Sequence, residues 1–243
     1  NAIMEKYFAL DGAVVKSMDE INSYDKLKEV VEDMTAKKKD LGIDGVFAST
    51  SLKPGEDWRW QTHLANLPIY YEYKDNKVSD MDKIEFKYAE NYKNILDLYM
   101  DNSVSEKGLL GSVDVATSMA EFALGQCAMV QNGNWAWSQI SEVDGNTVKA
   151  EDIKFMPIYF GVDDENEGLA TGTENYWCVN SKASKDDIQA TLDFMNWCVT
   201  SDAGVNGLCK EMGFTIPFKA NLDSDNVLVN LSLIHISEPT RRS

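Results

Sequence analysis

Apolar residues recur along the chain at helical spacing and lead into short apolar runs, a pattern that predicts helix–strand units. In the first unit, apolar side chains three and four residues apart predict a helix: Leu27, Val30, Val31 and Met34. Ser23 is placed to cap this helix and Gly42 to close it. The apolar run 45–49 then predicts a buried strand. A helix that leads directly into a strand is typical of α/β proteins.

The same order returns between residues 119 and 140. A short helical run there ends at Gly125, which can adopt the left-handed conformation of a helix terminus. The small apolar residues 127–130 predict a second strand, suited to a buried parallel sheet. An Asn-Gly pair at 132–133 predicts the turn that follows it. Residues 153–160 predict a further apolar strand.

Three other segments follow from the same patterns. Tyrosines in residues 70–73, followed by Asp-Asn, predict a small hairpin, whereas residues 85–100 predict an amphipathic helix that packs in the core. Ser184 is placed to cap a later helix that runs through Val199. The acidic loop 161–168 lacks the alternating order of an EF-hand and is therefore predicted to be solvated.

A pair of tryptophans follows each of the first two predicted strands. Trp58 and Trp60 come after the first strand, and Trp135 and Trp137 come after the second. Ligands of open α/β sheets bind beyond the carboxyl ends of the strands, so both pairs are placed to line one cleft. Because residues two apart on a helix point in different directions, only one member of each pair faces the cleft. We expect Trp60 and Trp137 to be the core members.

Composition and charge exclude several classes of function. The chain has 23 basic and 40 acidic residues, a net charge of −17, which disfavours binding to nucleic acid or to anionic membranes. It contains no stretch of about 18 apolar residues that would span a membrane. Two histidines and four cysteines without a C-x-x-C pair give no support for a metal, a cofactor or histidine-based catalysis.

The cysteines lead to two further expectations. Three of them lie in apolar runs and are expected to be buried: Cys127, Cys178 and Cys198. A disulfide between Cys198 and Cys209 is left open.

Two stretches of the chain resemble one protein family. The order A-x-F-x-x-G-x-x-A-M followed by N-G-x-W-x-W, within residues 120–137, resembles the family 1 extracellular solute-binding proteins. These are the carbohydrate receptors of ABC importers, the maltose-binding class. The later stretch SKDDIQATLDFMNWCVTSDAGVN resembles the same family's late helix and the turn that ends it. The resemblance covers roughly residues 1–221.

The resemblance implies a periplasmic-binding-protein-like α/β fold of type II, in which two lobes close on a ligand. It places one nearly complete C-lobe at residues 1–170, and a crossover with a partial, returning piece of the N-lobe at 171–230. The first residues resemble the segment after the family's first interdomain crossover, so a fragment is expected. Residues 231–243 resemble translated sequencing-adapter read-through. The implied protein is a bacterial monomer in the periplasm or lipid-anchored at the extracellular face of the membrane.

The implied function is non-catalytic binding of a carbohydrate, with an oligosaccharide favoured by the several tryptophans, and its delivery to an ABC permease. The resemblance places a stacking aromatic at Trp135, and Trp58 is the second candidate plate. Covering about 100 Å² of sugar ring is worth about 2.5 kcal/mol per plate. Candidate rim residues are polar groups near these plates or at the expected crossover: Glu56, Asp57, Arg59, Asn134, Glu174 and Asn175.

Alternatives remain open at this point. Arg59 offers a planar fork of donors to a sugar, but a surface ion pair with Glu56 or Asp57 would use the same group. A glycoside hydrolase would need two carboxylates that flank the scissile bond, and carboxylates are abundant throughout the chain. A lectin-like module without transport would use the same tryptophans. The helix–strand order and the receptor-type stretches favour the solute receptor.

Overall fold

The computed structural model describes residues 2–162, 168–171, 176–214, 216 and 224–231. The chain divides into two compact units between Ala170 and Thr171. This is also the position at which the sequence analysis placed a domain boundary. That the units are a C-lobe and part of an N-lobe stays a prediction.

The first unit is built mainly from helices. The described residues of this unit form seven α-helices: α1 (Ala2–Phe8), α2 (Tyr24–Ala36), α3 (Lys38–Leu41), α4 (Ala65–Asn76), α5 (Ala89–Asp101), α6 (Val115–Ala123) and α7 (Ala136–Ser141). Short 3₁₀ turns lie at Met18–Glu20, Lys107–Ser112 and Ala150–Asp152, and a π-helical turn lies at Arg59–Leu64. No described helix is both long enough and apolar enough to cross a membrane.

Helix α2 shows how the apolar pattern becomes core. Ser23 caps it by accepting a hydrogen bond from the backbone N–H of Lys26 at 3.2 Å. All four of its predicted apolar positions are buried: Leu27, Val30, Val31 and Met34. Gly42, with a φ of 74°, ends the following helix α3 in the left-handed conformation. The predicted cap and the four buried positions are confirmed, whereas helix α2 ends at Ala36 and not at Gly42.

Three segments meet side by side at the centre of this unit. Phe47 forms parallel bridges with Ser103 on one side and Met129 on the other. The segments predicted as strands at 45–49 and 127–130 therefore pair in the expected parallel direction. Only single bridges form among the described residues, because carbonyls are shared: the oxygen of Val46 accepts from both Ala128 and Met129. Sharing an acceptor between two successive amides interrupts the even spacing of a regular parallel ladder.

Two predicted β elements are wrong. The segment predicted as a hairpin at 70–73 lies inside helix α4. Its helical form is held by tertiary contacts: Tyr71 stacks on Phe160 with ring centroids 5.8 Å apart, and the buried carboxylate of Glu72 accepts hydrogen bonds from the backbone N–H groups of Glu85 and Lys87. Residues 153–160 form no regular strand, and their buried aromatic side chains anchor the segment instead.

The second unit contains helices α8 (Lys185–Thr200) and α9 (Asp202–Asn206), followed by a π-helical turn at Gly207–Glu211. Ser184 caps α8 as predicted, accepting from the backbone N–H of Asp187 at 3.2 Å. Cys198 and Cys209 are both buried, and no disulfide joins them. Cys178 is exposed, so the prediction of a buried position is wrong there. Its segment, 176–180, is left uncovered by the described residues of this unit.

Candidate functional site

Two tryptophans from separate loops meet in the first unit. The ring centroids of Trp58 and Trp135 lie 5.9 Å apart, with an angle of 36° between the ring planes. His63 completes the group, since its ring centroid lies 5.1 Å from that of Trp58 and 5.6 Å from that of Trp135. We call Trp58, His63 and Trp135 the aromatic cluster. Trp58 and Trp135 lie far apart along the sequence but are direct neighbours in the fold.

The aromatic cluster is open to solvent, whereas a third tryptophan beside it is not. Trp58 is 36% exposed and Trp135 is partly buried. Trp60 is only 3% exposed, packs edge-on against Tyr99, and donates its indole N–H to the carbonyl of Thr50. The first pair thus divides between surface and core as expected. Trp137 is partly buried.

The Asn-Gly turn sets the position of Trp135. A Cβ atom added to Gly133 would overlap the six-membered ring of Trp135, so the ring lies directly over this glycine. Trp135 itself forms the N-cap of helix α7. A side chain larger than hydrogen at position 133 would push the ring away, which gives the N-G-x-W order a physical reason.

Arg59 connects the two tryptophan-bearing loops from beneath. It is 4% exposed, and its guanidinium carbon lies 4.2 Å from the centroid of the Trp58 ring. Its Nε donates to the Oδ1 of Asn132 at 2.9 Å, and its Nη1 donates to the carbonyl of Glu56 at 3.3 Å. Burial lowers the pKa of Arg59, and the nearby charge of Glu56 partly offsets that effect. Neither the exposed rim donor nor the surface ion pair considered from sequence describes this buried position.

The acidic rim candidates hold the first loop in place. The side-chain carboxylate of Glu56 accepts a hydrogen bond from the backbone N–H of Val115, at the start of helix α6. Asp57 accepts from the side-chain amide of Gln61. Both carboxylates are only partly buried, so each also faces solvent.

The remaining rim candidates divide between the two parts of the chain. Asn134 is partly buried and lies next to Trp135 in the turn. Glu174 and Asn175 lie outside the described residues.

The sequence analysis missed a buried carboxylate that anchors the end of the first central segment at Ser49. Glu121, 6% exposed on helix α6, accepts from the backbone N–H of Ser49 at 2.6 Å and from its hydroxyl at 2.8 Å. The hydroxyl of Ser105 donates to the same carboxylate at 3.4 Å. A single glutamate inside the apolar run MAEFA was the available signal. The described residues contain no group of His, Cys, Asp and Glu that could hold a metal ion.

Comparison with known proteins identifies the family. The family profile of the bacterial extracellular solute-binding proteins matches residues 3–229. The chain belongs to this family. A search of curated proteins and a search of solved structures each found no significant match.

Membership of the extracellular solute-binding family carries several consequences. The family has a periplasmic-binding-protein-like fold and binds a substrate for transport, generally without catalysis. Its members work with an ABC transporter, in the periplasm or at the extracellular face of the cell. In this solute-binding protein, the aromatic cluster joins the loops that follow two parallel segments, the position at which α/β folds bind ligands.

Proposed function

We propose that this solute-binding protein binds a carbohydrate, with an oligosaccharide favoured, and delivers it to an ABC permease. The single observation that carries the proposal is the adjacency of Trp58 and Trp135, which are partly exposed and 5.9 Å apart. A sugar ring has an apolar C–H face and a hydroxyl rim. Flat indole rings complement the face, and carboxylate and amide groups complement the rim.

The expected affinity follows from the area that two plates can cover. At about 25 cal/mol per Å², covering about 100 Å² of sugar on each indole gives about 5 kcal/mol for both. A dissociation constant near 1 μM corresponds to about 8 kcal/mol, so hydrogen bonds to the rim must supply the difference. Glu56, Asp57 and Asn134 are the proposed rim partners in the first unit, and Glu174 and Asn175 remain predictions from sequence.

The proposed mechanism is capture followed by closure. The aromatic cluster holds the sugar while the protein is open, and a second lobe then closes over it. Sugar shifts this equilibrium by the difference between its affinities for the closed and open forms. The closed form is the one recognised by the permease. In this scheme Arg59 does not contact the sugar. It positions Trp58 relative to the turn at Asn132, because it packs against the Trp58 ring and donates a hydrogen bond to Asn132.

Calorimetry on single tryptophan variants tests the proposal. Trp135→Ala and Trp58→Ala should each weaken binding of a glycan found by panel screening by about 60-fold, the equivalent of about 2.5 kcal/mol. Trp197→Ala is the matched control, because Trp197 is 47% exposed in the other unit. Undiminished affinity in both cluster variants would contradict the proposed site. Release of reducing ends from the glycan would instead support the glycoside hydrolase.

A further inference from the structure

The two tryptophans of the aromatic cluster lie too close together to hold a sugar ring between them. Carbon atoms in van der Waals contact are about 3.5–4.0 Å apart, so a ring stacked between two indoles would keep their centroids about 7–8 Å apart. The centroids of Trp58 and Trp135 are 5.9 Å apart. At that separation the two indoles contact each other, and a sugar must bind on their outer faces.

One face of each indole is already covered by the protein. The guanidinium carbon of Arg59 lies over the Trp58 ring, 4.2 Å from its centroid. The Trp135 ring lies over Gly133, where an added Cβ atom would overlap it. Both tryptophans nevertheless keep part of their surface exposed. The face of each indole that is turned away from Arg59 or Gly133 is therefore the face that can receive a ligand.

The two covered faces rest on one hydrogen-bonded support. The Oδ1 of Asn132 accepts from the Nε of Arg59 and from the backbone N–H of Gly133, each at 2.9 Å. A single oxygen atom thus joins the groups that cover the two indoles. Because the planes of the Trp58 and Trp135 rings differ by only 36°, their open faces point to the same side of this support. We call these two adjacent rings the indole platform.

The other end of the Asn132 side chain is held as well. Its Nδ2 donates to the Oε1 of Gln139 on helix α7 at 3.2 Å, and it lies 3.4 Å from the sulfur of Met119 on helix α6. An amide that is bonded at both ends keeps one orientation. Asn132 therefore fixes the first tryptophan loop, through Arg59, against the two helices that flank the second.

We propose that Asn132 is a positioning residue that sets the spacing of the indole platform, and that the ligand is a chain of at least two sugar units bound along it. The inference rests on the proposed function and narrows it to disaccharides and longer chains. Adjacent units of such a chain are joined through one oxygen atom, so each can stack on its own indole, whereas a monosaccharide covers only one. The ring of His63 is perpendicular to that of Trp58, at 89°, so it forms an edge of the platform.

The first arm of the test compares matched sugars by calorimetry on the full chain. The probes are glucose with maltose and cellobiose, xylose with xylobiose, and mannose with mannobiose. We expect one disaccharide to bind about 60-fold more tightly than its monosaccharide, the share of one indole. Equal affinity for the two would overturn the platform and leave the proposed function standing. Failure of the protein to bind any of these sugars would overturn both.

The second arm replaces the residue that joins the two supports. Asn132→Leu has a similar volume and removes the shared acceptor, so the ratio of disaccharide to monosaccharide affinity should fall about 10-fold or more. Monosaccharide affinity should change by less than about 3-fold, because one indole still suffices. Asn132→Asp keeps both acceptor bonds and should retain the ratio. Asn132→Ser, whose hydroxyl is too short to reach Arg59, is the second variant should Asn132→Leu not fold.

The matched control is Asn146→Leu in the turn after helix α7. The Asn146 side chain accepts from the backbone N–H of Val148 at 2.9 Å and donates to its carbonyl at 3.0 Å. Its loss should lower the melting temperature and leave the affinity ratio unchanged, which separates positioning from stability. A folded Asn132→Leu or Asn132→Ser protein with an undiminished affinity ratio would overturn the assignment of Asn132.

Discussion

Replacing Arg59 by Met tests whether a buried cation holds the two tryptophan loops together. The substitution removes a guanidinium that lies 4.2 Å from the Trp58 ring centroid, an interaction worth about 1–2 kcal/mol where water is excluded. It also removes the 2.9 Å hydrogen bond from Nε to Asn132, worth about 1.5–3 kcal/mol because the donor is charged. The gross loss is therefore about 2.5–5 kcal/mol.

The net effect is smaller than the gross loss. Burying a guanidinium carries a desolvation cost, which Met does not have, so we expect a net destabilisation of about 2 kcal/mol. For a chain of this length that corresponds to a melting temperature lower by about 4–8 °C. Arg59→Lys keeps the charge but loses the planar fork, so it should recover only part of the difference.

The assay combines thermal unfolding with far-ultraviolet circular dichroism, in which excitonic coupling between neighbouring indoles such as Trp58 and Trp135 produces a signal. We expect Arg59→Met to reduce the tryptophan signal in the folded protein and to weaken sugar binding about 10-fold, because Trp58 loses its support. Trp197→Phe, in the other unit, should alter neither the coupled signal nor the affinity. An Arg59→Met protein with unchanged melting temperature and unchanged coupled signal would refute the reasoning.

Three further predictions follow from individual contacts. Trp135→Ala should remove most of the sugar-induced change in tryptophan fluorescence; a retained change would place the reporting indole elsewhere. Glu121→Gln should lower stability by about 1.5–3 kcal/mol in urea unfolding, because the buried carboxylate accepts two hydrogen bonds from Ser49; an unchanged urea midpoint would show that these bonds contribute little. Gly45→Ala should lower the melting temperature by at least 2 °C, since the added Cβ would overlap the backbone of Ser103 and Val104; an unaltered melting temperature would mean that this contact relaxes freely.

Local sequence patterns correctly predicted secondary structure where neighbouring residues alone decide the conformation. The caps at Ser23 and Ser184 were predictable from sequence, because each depends on hydrogen bonds within a single turn. The sequence also indicated Gly42 as a helix end, although the helix that ends there is α3 and not α2. The prediction of a hairpin at 70–73 was wrong because residues distant along the chain decide the conformation there. Tyrosines suit strands and helices about equally when a distant partner such as Phe160 provides the packing surface.

For the candidate site, the sequence indicated which residue types belong together but not how they are arranged. Two tryptophan pairs after two apolar runs predicted one cleft, and the family resemblance singled out Trp135. The burial of Arg59 could not be predicted from sequence, since an arginine between two tryptophans can be either buried or exposed. The role of Glu121 was equally hidden, because its partners lie 72 and 16 residues away along the chain.

The sequence by itself determined the capped helices and the glycines at helix ends, because these depend on short-range chemistry. It also determined membership of a solute-binding family, which depends on the order of motifs. Only the tertiary structure decided that Trp58 and Trp135 share one partly exposed cluster, and that Arg59 packs against the Trp58 ring. It also decided that the hydroxyl of Thr50 and the side-chain amide oxygen of Gln131 have no hydrogen-bond partner among the described residues. Those features arise where three segments distant along the chain are brought together around Phe47. The physical reason is that burial and hydrogen-bond satisfaction are properties of an assembled environment, not of a residue or its neighbours in sequence.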